Sequence, residues 1–204
     1  KNLLNKEGVE LMLRELFEQN RSYRRFYEDR TIKTEVLEGL LANARIANSA
    51  GNKQPLKYII SNNRKINEDI FSTLSWAAYF KDWNGPERGE RPAAYIIMLG
   101  DKTISNNYMA DPGLAMAYIL LSAVEKGLGG CIIATVDKRK LREILNIDES
   151  FEILYVIALG VPREKVVLEE VGEDGDIKYY RDENHIHYVP KRSLQEIIAG
   201  KYLE

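Results

Sequence analysis

The stretch from Asp111 to Thr135 constrains the fold most, because it predicts an apolar helix followed directly by an apolar strand. Asp111 is expected to cap the helix and Pro112 to occupy its first position. Apolar residues line both sides of the helix, which predicts burial all round: Leu114, Ala117, Leu121 and Val124, and Met116, Ile119, Leu120 and Ala123. Gly127 suits the left-handed end of a helix, and residues 131–134 read as a strand. We therefore expect a central helix leading into a central strand.

The glycines of this stretch do not match a dinucleotide-binding motif. In such a motif a strand leads through a glycine turn into a helix, whose N-terminus binds phosphate. Here Gly127, Gly129 and Gly130 follow a helix and precede a strand, and Ile132 stands where the motif requires its third glycine. A classical dinucleotide site is therefore not predicted at these glycines.

Composition favours one soluble domain spanning residues 1–204, long enough to bury its own core. The 29 basic and 31 acidic residues give a net charge of -2, which argues against a nucleic-acid surface. The single cysteine, Cys131, excludes an internal disulfide and fits a reducing cytoplasm. No apolar run reaches the ~18 residues of a membrane-spanning helix. We expect a cytoplasmic protein without membrane or nucleic-acid partners.

Helices and strands are predicted along the rest of the chain. Helices are expected over residues 6–19, from a cap at Thr34 to about Asn48, from Ile66 toward Tyr79, after a cap at Asp137, and after a capping box formed by Ser193 and Glu196. Strands are expected over residues 56–61, 94–99 and 153–159. Residues 173–176 are expected to form a hairpin turn between strands 166–171 and 177–180.

Several kinds of chemistry lack the residues they need. His185 and His187, with one distant cysteine, do not form a ligand set of the usual metal-binding spacing. Cys131 lies in an apolar run, where burial raises a thiol's pKa and lowers its reactivity, so a packed core thiol is favoured over a nucleophile. The carboxylates are scattered over helix faces that solvation explains. We therefore expect no metal site and no acid/base hydrolase.

Two clusters of phosphate-binding groups lie at opposite ends of the chain. Arg21, Ser22 and Arg24 follow the first helix, and Lys191 and Arg192 precede the last one. Arginines close together repel one another unless an anion or water surrounds them. Each cluster alone is more typical of a solvated surface, so both readings stay open for each cluster.

Four segments, in chain order, resemble signatures of the nitroreductase family of FMN-dependent oxidoreductases. They are the arginine-rich segment 20–26 (NRSYRRF), the segment 52–55 (NKQP), the helix and glycine turn from Asp111 to Ala134, and the basic segment 190–192 (PKR). The resemblance implies an α+β fold with a mixed, mainly antiparallel sheet around a central buried helix. It also implies an obligate homodimer in which residues 163–204 reach toward the partner subunit and two flavins lie at the interface.

The same resemblance implies which residues bind FMN. The phosphate and ribityl chain would be held by Arg21, Ser22, Arg24, Lys191 and Arg192. The flavin ring would be approached by Ser49 and Asn52 of the partner subunit, by Gln54, and by Ile132, Ile133 and Ala134, with a backbone N–H near Ala134 directed at flavin N5. This sequence departs from the family pattern at Asn20, where an arginine is usual, at Leu56, where an aromatic is frequent, and at Ala134 and Thr135, where glutamate or glycine is common.

The activity implied by the resemblance is ping-pong transfer of hydride from NADH or NADPH, through flavin N5, to a nitroaromatic or quinone-like acceptor. The cofactor would carry this chemistry, so no catalytic side chain is required. The alternatives are a relative that destroys flavin or dehalogenates aromatic substrates, and a non-catalytic FMN carrier or sensor. Residues 81–92, with Trp83 and Arg88, either shape access for the acceptor or form an ordinary exposed loop.

Overall fold

The computed structural model describes residues 13–80 and 82–203. Its centre is a four-stranded antiparallel sheet in the order β1-β2-β4-β3. The strands are β1 (Leu56–Ser61), β2 (Ala94–Asp101), β3 (Gly129–Ile133) and β4 (Phe151–Gly160). The strands predicted at 56–61, 94–99 and 153–159 are confirmed, and the α+β class with them.

Helices cover both faces of this sheet, so the central strands are apolar on both sides. Ile96 and Met98 of β2 face a cluster that includes residues of α2 (Thr34–Ala44) and α4 (Asp111–Glu125). Tyr95 and Ile97 face a second cluster that includes residues of α3 (Arg64–Phe71) and α5 (Lys138–Leu145). Alternate residues of a strand point to opposite faces, and both sets are buried here. The continuous apolar run of β2 follows from this arrangement.

Helix α4 confirms the expected helix that leads into a buried strand, with two corrections. Ala110 precedes the helix, so Asp111 is its first residue and not its cap, and Pro112 is the second residue. The expected burial on all sides is also wrong for a single chain, because Leu114 and Tyr118 are 38% and 39% exposed. One face of α4 is buried, and the other carries the apolar side chains of Leu114 and Tyr118, which the described residues leave partly uncovered.

The remaining helices differ from expectation mainly at their ends. Helix α1 is described over Leu13–Gln19, and the predicted residues 6–12 lie outside the described part. Thr34 is the first residue of α2 and not its cap, and α2 ends at Ala44. Helix α3 ends at Phe71 and not near Tyr79, because the Ser72 and Thr73 hydroxyls donate to its last carbonyls at 2.7 Å each. The cap of α5 at Asp137 is confirmed by the Lys140 N–H at 3.0 Å.

The tail forms a second, three-stranded sheet that contradicts the predicted hairpin. Its strands are β5 (Val166–Glu170), β6 (Tyr180–Arg181) and β7 (His187–Lys191), in the order β5-β7-β6. β7 pairs with β5 in parallel and with β6 antiparallel, so it takes the place beside β5 that the hairpin assigned to 177–180. The predicted capping box at Ser193 and Glu196 is confirmed and opens α6 (Leu194–Ile197). No helix within 13–80 or 82–203 is long and apolar enough to cross a membrane.

Candidate functional site

The arginine-rich segment runs beside the first residues of β3. Ser22 forms a parallel bridge with Gly130, and the Tyr23 N–H donates to the Gly130 carbonyl at 3.0 Å. A Cβ at Gly129 would lie 2.4 Å from the Tyr23 ring, so a side chain is excluded there. The two glycines at the start of β3 therefore allow this segment to pack closely against the strand. The sequence places the segment about 110 residues from β3, and the fold brings them into register.

Arg24 and the end of β3 line one groove of about 230 Å³. Its other walls come from residues 75–78 and Tyr179, and the Arg24 guanidinium lies 4.8 Å from the centre of the Tyr179 ring. This volume is below the ~300–1,000 Å³ of ordinary ligand sites, so this groove by itself is small for a ligand of ordinary size. Among the predicted site residues, Arg24 is brought together with Ile132, Ile133 and Ala134.

Arg21, three residues before Arg24 in the arginine-rich segment, has hydrogen-bonding capacity that the protein does not use. One terminal nitrogen donates to the Phe17 carbonyl at 2.7 Å, while Nε is buried without a partner. Burial lowers the pKa of the Arg21 guanidinium from its ordinary value, opposed by the nearby Tyr23 and Glu18 oxygens. A buried N–H donor without an acceptor is costly, and an anionic ligand would satisfy it.

The exposed residue of β3 is Ile132, at 39%, while its neighbours Cys131 and Ile133 are buried. Cys131 is buried in a core cluster, which confirms the prediction of a packed core thiol, and this burial raises the pKa of the thiol. Ala134 and Thr135 follow the strand at the groove. The strand therefore presents one apolar side chain and then backbone to any ligand in the groove.

Glu164 organises the arginine-rich segment, and the sequence analysis missed it. Its side chain is fully buried, accepts hydrogen bonds from the backbone N–H groups of Arg24 and Arg25, and pairs with Arg181 at 2.9 Å. Burial alone would raise the pKa of Glu164, but contacts with His187, the Arg24 N–H and the Arg181 charge hold that pKa below its usual value. The available signal was a charged residue placed soon after the buried strand β4.

The two tail histidines lie in different environments. His185 is exposed, whereas His187 is fully buried, with its Nδ1 3.8 Å from the Glu164 carboxylate. The His187 ring packs 5.3 Å from Tyr179 and 5.7 Å from Phe80, centre to centre. Over the described residues, no group of three His, Cys, Asp or Glu side chains is arranged to hold a metal ion.

The loop at 82–92 is partly packed into the molecule, not simply exposed as one reading of the sequence had it. Trp83 is half-buried, with the Arg181 guanidinium 4.6 Å from its ring centre and Trp76 at 6.5 Å. Gly85 and Pro86 are buried, whereas Arg88 is exposed. Trp83 therefore packs beside Arg181 of the tail sheet and Trp76, whereas Arg88 points into solvent.

The loop of residues 48–55, called the amide loop from here on, is held by Asp111 at the start of α4. The Asp111 carboxylate accepts from the Ser49 hydroxyl at 2.6 Å and from the Ala50 N–H at 2.8 Å. The Ser49 hydroxyl in turn accepts from the Gln54 N–H at 2.8 Å. Asn52 and Gln54 both have φ of 52°, a left-handed conformation that is unfavourable for residues with side chains and recurs at functional sites. A groove of about 560 Å³ opens beside this loop.

A single chain does not bring all the predicted site residues together. The amide loop leads into β1, and Ile132 lies on β3; these are the two edge strands of the sheet, about 14 Å apart across three strand spacings. Lys191 and Arg192 are exposed at the end of β7, where Arg192 pairs with Glu196 at 3.1 Å. Neither residue lines the groove that contains Arg24.

Comparison with known proteins gives a consistent result. The family model of the nitroreductase family matches residues 18–161. A protein of Archaeoglobus fulgidus named as an NADH dehydrogenase/NAD(P)H nitroreductase is 27% identical over 149 residues, covering 69% of this chain and 80% of the relative. An iodotyrosine deiodinase of Thermotoga neapolitana is 23% identical over 195 residues, covering 87% and 97%.

The fold has counterparts among solved structures. An FMN-dependent nitroreductase of Clostridium difficile superposes with a TM-score of 0.59 at 22% identity, covering 74% of this chain and 87% of that one. The family match extends over most of the chain and includes the arginine-rich segment, the amide loop and β3. The chain is an oxidoreductase that belongs to the nitroreductase family.

Proposed function

We propose that this protein binds FMN between two copies of the chain and uses NADH or NADPH to reduce an aromatic acceptor such as a nitroaromatic compound or a quinone. One observation carries the proposal: the arginine-rich segment is hydrogen-bonded beside β3, so that Arg24 and Ile132 face the same groove. A cationic wall beside an apolar strand edge suits a ligand with an anionic tail and a flat ring.

The phosphate end of this site would be formed by the arginine-rich segment. Arg21 has a buried Nε without a partner, and Arg24 lines the groove, so both fit a phosphate group. Ser22, whose backbone bridges to Gly130, would add an exposed hydroxyl. Lys191 and Arg192 are exposed at the end of β7 and would complete the charge around the phosphate. The FMN dependence of the Clostridium difficile neighbour supports this choice of cofactor.

The ring end of the site would be formed by residues 132–134. Ile132 provides an apolar contact, and a backbone N–H near Ala134 would stabilise negative charge that develops at flavin N5. When bound, FMN supplies the hydride-transfer chemistry between the nicotinamide and the acceptor. Replacement of the usual glutamate or glycine by Ala134 and Thr135 leaves a backbone donor available, because that donor does not depend on the side chain.

A second copy of the chain would supply the amide loop. Ser49, Asn52 and Gln54 lie at the opposite sheet edge from Ile132 in one chain, so they can join its groove only from a partner. The uncovered apolar face of α4, with Leu114 and Tyr118, provides a surface for such a contact. Burying it against a twin helix would remove apolar surface from water and stabilise the homodimer.

Only the residues that follow β7 would extend from this chain onto the partner subunit. Residues 166–191 form a sheet attached to their own chain through the Arg181–Glu164 pair and the Lys165 carbonyl. Beyond β7, apolar side chains are strongly exposed: Leu194, Ile197, Tyr202 and Leu203. We propose that these residues pack on the partner subunit, which makes the crossing segment shorter than 163–204.

The function is tested by adding FMN to the purified protein and following NADPH or NADH oxidation with menadione or a nitrofuran as acceptor. The expected result is acceptor-dependent oxidation that requires FMN. A protein that cannot be reconstituted with FMN would refute the proposal. Bound flavin that neither nicotinamide reduces would instead support the carrier or sensor reading.

A dehalogenase is the second candidate, and the deiodinase relative favours it because this chain spans 97% of that protein. The assay is release of iodide from an iodinated tyrosine by the FMN-loaded protein with a chemical reductant. Iodide release much faster than reduction of menadione or a nitrofuran would favour this candidate over the nitroaromatic reductase.

A further inference from the structure

We propose that Glu164 is a positioning residue for the phosphate end of the flavin site, fixing the backbone of the arginine-rich segment so that Arg24 faces the groove. The inference rests on the proposed FMN function, and it concerns a residue outside the groove itself. Glu164 does not line the groove with Arg24 and Ile132, so it would act on a ligand through the segment it holds and not by direct contact.

The two oxygens of Glu164 perform different tasks. Oε1 accepts from the backbone N–H groups of both Arg24 and Arg25, the latter at 3.2 Å. Oε2 accepts from the Arg181 guanidinium at 2.9 Å and lies 3.8 Å from His187 Nδ1. One oxygen therefore holds the arginine-rich segment, and the other connects it to the tail sheet.

The bonds to Oε1 set the direction of the Arg24 side chain. Consecutive N–H groups that converge on one oxygen fix the backbone on both sides of the Arg24 α-carbon. The side chain then leaves toward the groove, where its guanidinium packs on Tyr179. Without the carboxylate, both N–H groups lose their acceptor in a site closed to water, and the segment would be free to turn.

Because Glu164 is buried, water cannot replace its carboxylate as the acceptor of these hydrogen bonds. The Glu164 side chain has no exposed surface, and Arg181, its charged partner, is only 15% exposed. A buried carboxylate is stable only when its partners remain in place. The cationic segment that would bind phosphate is therefore organised by a buried negative charge that does not line the groove.

Comparison of FMN with riboflavin isolates the phosphate end, because riboflavin has the same ring system without the phosphate. The dissociation constants of both ligands are measured for the wild type and for Glu164→Ala. Loss of positioning should weaken FMN about tenfold, the effect of one lost hydrogen bond to a charged group, and leave riboflavin nearly unchanged. A general loss of structure would weaken both ligands equally.

Two further variants separate positioning from folding. In Glu164→Gln the amide oxygen can still accept from Arg24 and Arg25, so FMN affinity should fall by less than in the alanine variant. Glu164→Asp keeps the charge but withdraws the oxygens by one methylene, and it should show the selective loss of FMN even if the alanine variant does not fold. Glu90→Gln is the matched control, since the Glu90 carboxylate bonds the Arg25 side chain and not the backbone of Arg24 or Arg25, while the Glu90 carbonyl that accepts from the Phe26 N–H is kept in the variant.

The outcomes separate this inference from the proposed function. Selective loss of FMN in the alanine or aspartate variant, with Glu90→Gln unchanged, supports the role of Glu164. Equal losses for FMN and riboflavin, or no loss of either, overturn it while the proposed function stands. A wild-type protein that binds neither ligand overturns the proposed function and this inference together.

Discussion

Replacing Asp111 with alanine should loosen the loop that carries Ser49, Asn52 and Gln54. Asp111 is buried, and its carboxylate accepts from the Ser49 hydroxyl at 2.6 Å and from the Ala50 N–H at 2.8 Å. Alanine would leave both donors without an acceptor. The start of α4 would keep its geometry, because Asp111 does not cap the helix.

The magnitude follows from these two bonds. Each hydrogen bond to a charged acceptor contributes roughly 1.5–3 kcal/mol, and water would satisfy the half-exposed Ser49 in part, so we expect a loss of about 3 kcal/mol. For a chain of this size that lowers the melting temperature by about 6–12 °C. In Asp111→Asn one oxygen still accepts from Ala50, so the expected loss is about 1 kcal/mol.

Thermal unfolding, followed by circular dichroism, measures this difference. Protein concentration must be held constant, because the stability of the proposed dimer would depend on it. Asp137→Ala is the matched control, since it removes one exposed cap bond and should cost about 1 kcal/mol. If Asp111→Ala were no less stable than Asp137→Ala, or than Asp111→Asn, the reasoning about the buried carboxylate would be refuted.

Two further predictions concern stability. A Cβ at Gly160 would lie 2.7 Å from Phe26, so Gly160→Ala should lower the free energy of unfolding by about 1–3 kcal/mol. Gly39 lies in open space on α2, so Gly39→Ala should raise the free energy of unfolding by up to ~1 kcal/mol. Urea unfolding of both variants distinguishes a steric clash from a general effect of the added methyl group. The hydrogen bond from Arg25 lowers the pKa of Glu90, so the stabilisation from this carboxylate is present above the unfolded-state pKa and is lost as pH falls. Stability should therefore fall less steeply in Glu90→Gln than in the wild type between about pH 5 and about pH 3, and equal slopes in urea unfolding would contradict this.

Apolar runs and capping residues in the sequence correctly predicted two central strands and two helix starts. Residues 94–99 and 153–159 are continuously apolar and became the buried central strands β2 and β4. Asp137 and Ser193 precede short helices and cap them as predicted. These predictions succeeded because neighbouring residues supply both the periodicity and the capping donors.

The failures come from contacts between distant residues. Asp111 has the chemistry of a cap, but its carboxylate bonds Ser49 and Ala50 instead, so a tertiary contact replaced the local one. The turn residues at 173–176 indicated a hairpin, yet β7, beginning at His187, pairs beside β5. Local turn propensity cannot show which strand completes a sheet.

The sequence indicated some residues of the candidate site but not the distant contacts that arrange them. The cluster of Arg21, Ser22 and Arg24 is visible in the sequence, but only the fold shows that the bridge between Ser22 and Gly130 places it beside β3. The role of Glu164 was not visible, because its partners Arg24 and Arg181 are separated from it by 140 and 17 residues. A buried carboxylate is recognised only when the fold shows what surrounds it.

The claim that two chains share each flavin site is tested most directly by a mixed dimer. Arg24→Ala and Asn52→Ala subunits, carrying different tags, are co-expressed, and the heterodimer is purified and its bound FMN is counted. Each parent homodimer has both sites damaged, whereas the twofold-symmetric heterodimer has one site with both substitutions and one with neither. We predict about one flavin per heterodimer, half the wild-type content, and little in either parent homodimer. A heterodimer that retains no more FMN than its parents would contradict the shared site.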